Sequence, residues 1–146
     1  TTQALEVIQM SDVRENKQNL QTAIQSLGNA IARILPEDWE RVVVGYFIVG
    51  ENNVPHIQFH VITMSSDDYS DLMAISWDSD EFDDEIIEVQ QLCETLRRIC
   101  SVANDNWSTM TFSMIADGTF NVDYDYDVID KYDPAFILNW QSQHLI

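Results

Sequence analysis

The stretch Trp107-Ser-Thr-Met-Thr-Phe-Ser-Met-Ile-Ala-Asp-Gly-Thr-Phe-Asn-Val-Asp-Tyr-Asp-Tyr-Asp127 decides the fold. Apolar and polar residues alternate on both sides of Asp117–Gly118, the pattern of two strands, Trp107–Ile115 and Thr119–Tyr126, joined as a hairpin. Two registers compete. A two-residue Asp117–Gly118 loop sets Phe112 opposite Asp123 and Met110 opposite Asp125. A three-residue loop, Ala116–Asp117–Gly118, instead pairs Met114 with Phe120, Phe112 with Val122 and Met110 with Tyr124. A slip of one residue would turn a whole side-chain set over, so the register that keeps one face apolar is expected, the second. It also places Gly118 at the left-handed position that such a loop requires.

Upstream of the hairpin, Ile86, Val89, Leu92, Cys93, Leu96, Ile99, Cys100 and Ala103 make one helical stripe, with an acidic start that suits the helix dipole. Asn104, Asp105 and Asn106 form its exit turn. Further back, Arg41–Val49 and His56–Thr63 read as strands joined by the turn-rich Gly50, Glu51, Asn52 and Asn53. Asp71–Trp77 is a weaker third strand. Leu20, Ala23, Ile24, Leu27, Ala30, Ile31, Ile34 and Leu35 fall on the stripe of a first helix. Asp12 with Glu15 reads as its capping box and Pro36 as its stop, so the helix is predicted over 12–35 and residues 1–11 as a loose lead-in. Downstream of the hairpin, Asp133 caps and Pro134 starts a third helix whose apolar side is Phe136, Ile137 and Trp140 and which runs to about Gln143.

The order is α-β-β-β-α-β-β-α over one domain, residues 1–146. Hairpin-linked strands imply an antiparallel sheet, giving a two-layer α+β fold with the helices on one face.

The charge is the strongest compositional signal: 25 acids face seven bases, a formal net charge of −18. Such a surface repels nucleic acid and anionic lipid and attracts basic partners at long range. No run of 18 apolar residues and no basic, then apolar, opening segment occurs, so neither a membrane span nor a signal peptide is expected. Cys93 and Cys100 lie seven apart on one helix, ~10 Å of rise, too far for a disulfide within it. They read as buried thiols of a cytoplasmic protein.

Phe120, Val122, Tyr124 and Tyr126 alternate with Asn121, Asp123, Asp125 and Asp127. In a strand the odd positions share one face at ~6.8 Å intervals, so three carboxylates stand in line and repel one another. A solvated strand face is the simplest account. The sharper one is a row of anions offered to a basic cleft built to hold phosphates. Asp78, Asp80, Glu81, Asp83, Asp84 and Glu85, six acids in eight residues, would extend the same field. Trp39, Trp77, Trp107 and Trp140 each fall at or near an element end, the place of core-edge residues; Trp77, beside the acidic run, is a candidate interface anchor.

Enzyme chemistry is not indicated. Alternating strand carboxylates do not converge on an ion, and the Gly and terminal Glu of a calcium loop are absent. His56 and His60 stand ~13 Å apart along their strand, and no Cys-x-x-Cys or HExxH occurs. There is no GxSxG and no glycine-rich phosphate loop. No catalytic residue, metal or cofactor is expected.

Leu35-Pro-Glu-Asp-Trp-Glu40, Trp107-Ser-Thr-Met-Thr-Phe112 and Gly118-Thr-Phe-Asn-Val-Asp-Tyr-Asp-Tyr-Asp127, with Trp140 in the last helix, resemble the YezG-like immunity (antitoxin) family over about residues 20–142. The resemblance implies a toxin-neutralising protein without enzymatic activity, the partner of a secreted polymorphic toxin, often nuclease-tipped, in interbacterial competition such as contact-dependent growth inhibition. The toxin-binding residues expected on this basis are Asp123, Asp125, Asp127, Asp78, Asp80, Glu81, Asp83, Asp84 and Trp77. The element order also resembles that of type III secretion chaperones, small acidic proteins that are usually dimeric. That likeness makes an acidic chaperone for a secreted effector the alternative, and makes a homodimer through exposed strand edges conceivable.

Overall fold

The computed structural model describes residues 2–73 and 83–146, with side chains from Lys17 onward. The elements run α1 (Thr2–Ala32), β1 (Trp39–Val49), β2 (Val54–Thr63), β3 (Ser70–Asp71), α2 (Asp83–Val102), β4 (Thr109–Ile115), β5 (Phe120–Asp125) and α3 (Pro134–His144). This is the expected order of an α+β fold. The five strands form one antiparallel sheet in the order β3-β2-β1-β4-β5, so β3 and β5 are its outermost strands.

The hairpin adopts the apolar-face register. Met114 pairs with Phe120, Phe112 with Val122 and Met110 with Tyr124. Gly118 closes the loop at φ +90° and donates its N–H to the Ile115 carbonyl at 2.9 Å. The Asp117 carboxylate accepts the Thr119 N–H at 2.8 Å, which orders the turn from within.

Three sequence expectations change. The first helix begins at Thr2, not Asp12, so Asp12 lies inside it and the proposed capping box does not start it. Residues 2–11 hold no Gly or Pro and include the strong helix formers Ala4, Leu5, Glu6, Gln9 and Met10, which favour continuation. The third strand is only Ser70–Asp71, pairing with Val61 and His60, and Leu72–Met73 turn out of it; residues 74–77 of the expected strand lie outside the described residues.

The helices, third, do not all share a face. Leu27, Ile31, Val89, Cys93 and Leu96 of α1 and α2 bury against Val42, Val44, Phe59, Phe112 and Met110 on one side of the sheet. On the other side, α3 and the segment leading to it pack Ile129 and Trp140 over Val43, Phe47 and Val49. The reason lies in β1. Its apolar run holds residues of both parities, so each face presents surface that water disfavours, the pattern of a strand covered on both sides. Phe47 stands edge-on to Trp140 and to Phe136, with centroids 5.3 and 5.4 Å away.

Candidate functional site

The site begins with the strand alternation. In β5 the even residues Val122 and Tyr124 join the core beneath α1 and α2, so the odd carboxylates take the other face. There Asp123 stands opposite Thr111, and Asp125 opposite Thr109. All three ladder residues, Asp123, Asp125 and Asp127, are exposed.

The ladder is ordered by local hydrogen bonds rather than by counter-ions. The Asn121 amide donates to Asp123 Oδ2 at 3.0 Å. The Asp127 N–H donates to Asp125 Oδ1 at 3.0 Å, an Asx-type turn that carries the chain off the sheet. Ser108 Oγ donates to the carbonyls of Asp125 and Asp127 at 3.1 and 2.5 Å, so the turn is held from β4's side as well. Among the described residues one ion pair forms, Arg33 with Glu88 at 3.0 Å, and it lies between α1 and α2, away from the ladder.

Beyond the turn, the Ile129 carbonyl accepts the Gly50 N–H at 2.9 Å, and Asp133 caps α3 by accepting the Phe136 N–H at 2.9 Å. Pro134 occupies the first turn, as its fixed φ favours. The helix is thereby laid across β1 and β4. The Trp140 indole N–H donates to Thr111 Oγ1 at 3.0 Å, with both side chains buried.

Between β5 and α3 a cleft of about 450 Å³ remains. Asp123, Asp125 and Asp127 line it from the β5 side, together with Thr109 of β4 and Trp140 and His144 of α3. Among the described residues, no lysine or arginine lines it. Burial holds the His144 imidazole below its ordinary value of 6.5; Asp123 and Asp125 pull it up and Arg41 pushes it down. Burial thus disfavours the imidazolium form that would offset part of the cleft's negative charge. Arg41 is otherwise engaged, donating to the Tyr69 hydroxyl at 2.7 Å and to the His144 carbonyl at 2.8 Å.

Of the residues singled out from sequence, Asp123, Asp125 and Asp127 come together around this cleft. Asp83, Asp84 and Glu85 form the first turn of α2, whose packing lies on the opposite side of the sheet, so they do not continue the ladder. Trp77, Asp78, Asp80 and Glu81 lie outside the described residues. Sequence reasoning missed Thr109, Trp140 and His144 as partners of the ladder. The apolar run Val42–Val49, with both parities filled, was the available signal that a helix would cover this face.

No helix among the described residues is long and apolar enough to cross a membrane. The family described as Immunity protein YezG-like matches residues 20–145 of the chain. No curated protein matches it.

Proposed function

The chain belongs to the YezG-like immunity protein family, and from that premise we propose that it neutralises the catalytic domain of a cognate toxin by binding it, without chemistry of its own. The toxin domain is a nuclease, and the encounter takes place in the cytoplasm of the protected cell. The observation that carries this reading is the uncompensated row Asp123, Asp125 and Asp127 on an exposed face of a chain with net charge −18. A nuclease cleft is lined with basic groups that hold phosphates. Carboxylates spaced along a strand compete for those groups, and the surrounding field speeds the encounter.

The test is co-expression with the toxin domain encoded beside this gene. The intact chain should restore growth and co-purify with the toxin. Association of the pure proteins should slow steeply as salt rises, and D123N/D125N/D127N should flatten that dependence. Growth without complex formation, or binding indifferent to salt, would refute the proposal. Capture of an unfolded effector segment instead of a folded domain would favour a secretion chaperone.

A further inference from the structure

The cleft between β5 and α3 has features that a merely solvated strand face would not need. Thr109 is only 7 % exposed and lines the cleft. Its neighbour Thr111 uses its hydroxyl to accept the Trp140 indole N–H; the Thr109 hydroxyl has no hydrogen-bond partner among the described residues. The hydroxyl oxygen is reached from the cleft and is free to pair with a group that enters it. It stands directly across from Asp125, with Thr111 and Asp123 forming the next rung. Hydroxyl and carboxylates converge on one space of about 450 Å³ with no lysine or arginine of the described residues inside it.

We propose that this cleft is a seat for an arginine side chain projected by the protein partner. The inference rests on the toxin-binding reading and names the chemistry of its anchor. The acceptors here lie on two adjacent rungs, Asp123 on one and Asp125 with Thr109 on the other. A guanidinium carries five N–H donors in one plane and reaches several acceptors at once, whereas an ammonium acts as a compact point charge. The lining also offers the half-buried His144 ring, backed at 5.5 Å by the buried Trp140. A guanidinium stacks well on a planar ring of this kind. Among the described residues no three His, Cys, Asp or Glu side chains are grouped to hold a metal ion, so the geometry suits an extended organic cation better than a metal.

The experiment uses the full chain, isotope-labelled, titrated with N-acetyl-arginine amide and followed by its amide and indole resonances. Saturable shifts are expected at Thr109, Thr111, Asp123, Asp125 and the Trp140 indole N–H. N-acetyl-lysine amide should bind more weakly, and the neutral isostere N-acetyl-citrulline amide should leave these signals in place. T109V keeps a β-branched residue in the strand, and D123N/D125N keeps side-chain shape; each should weaken arginine binding, the double variant roughly tenfold. D67N/D68N removes the same charge from the exposed turn after β2 and should bind as the parent does. Citrulline binding equal to arginine, shifts scattered over other acids, no saturable shift, or equal loss in D67N/D68N would overturn the assignment. The two proposals fail separately. A chain that neutralises its toxin equally well with T109V and D123N/D125N in place keeps the function and loses the seat. A chain that binds arginine here but protects no cell keeps the seat and loses the function.

Discussion

Trp140 lies so close over Gly45 that a methyl group added there would sit 2.6 Å from its ring. The Phe47 ring would be 2.7 Å away on the same side. Neither ring can withdraw cheaply, because Phe47 is 1 % and Trp140 4 % exposed. Gly45 thus sets how near α3 comes to the sheet, and so the width of the acidic cleft.

Replacing Gly45 with Ala should therefore destabilise the chain by about 1–3 kcal/mol, the usual cost of overpacking a filled core. Chemical denaturation with tryptophan fluorescence measures it. A Gly45→Ala protein as stable as the parent would mean that α3 is not held against β1.

Thr111→Val keeps the shape of the strand residue but strands the Trp140 N–H in a buried place. The expected loss is about 1–3 kcal/mol, and Thr111→Ser should recover most of it. The measurement is a pair of unfolding curves; a Val variant matching the parent would show that the hydrogen bond contributes nothing.

Mild acidification should weaken the fold. Burial holds both His60 and His144 below 6.5, with Asp71 opposing at His60 and Asp123 and Asp125 at His144. In the unfolded chain both return to the ordinary value. The unfolded state thus binds more protons just below pH 6.5, so stability is flat above that point and falls beneath it until the folded histidines protonate. Denaturation midpoints at pH 7.5, 6.5 and 5.5 test this; His60→Gln should reduce the slope. A midpoint that rises between pH 6.5 and 5.5 would contradict it.

The Cys93 thiol is fully buried and is pushed up to about 12 by that burial. Since the thiolate is the reactive form, a soluble alkylating agent at pH 8 should leave Cys93 unmodified in the native protein and label it as the chain unfolds. Mass spectrometry of digests reads the result. Rapid native labelling of Cys93 would show that the packing of α2 opens readily.

Local rules made much of this molecule legible. The hairpin register followed from keeping Met110, Phe112 and Met114 on one face with Tyr124, Val122 and Phe120, since one face had to be buried. Asp133 and Pro134 gave the start of α3 because capping is decided within four residues. Ile86 to Cys100 gave α2 through its 3.6-residue period. What sequence reasoning missed was non-local. Whether α3 sits above or below the sheet depends on Val43, Phe47 and Gly45, some ninety residues earlier in the chain. The cleft inherits that dependence. The ladder acids were visible one by one, but Thr109 and His144 join them only once α3 is in place.

The outermost position of β5 has one further consequence. A border strand offers main-chain N–H and C=O groups with no strand beyond to take them, an invitation to further chains. Here every second side chain from Asp123 is an ionised carboxylate, so an approaching copy meets like charge before it meets a hydrogen bond. Where salt screens that charge, the guard weakens. The hairpin would then become adhesive, and clumping at high salt should start at this border.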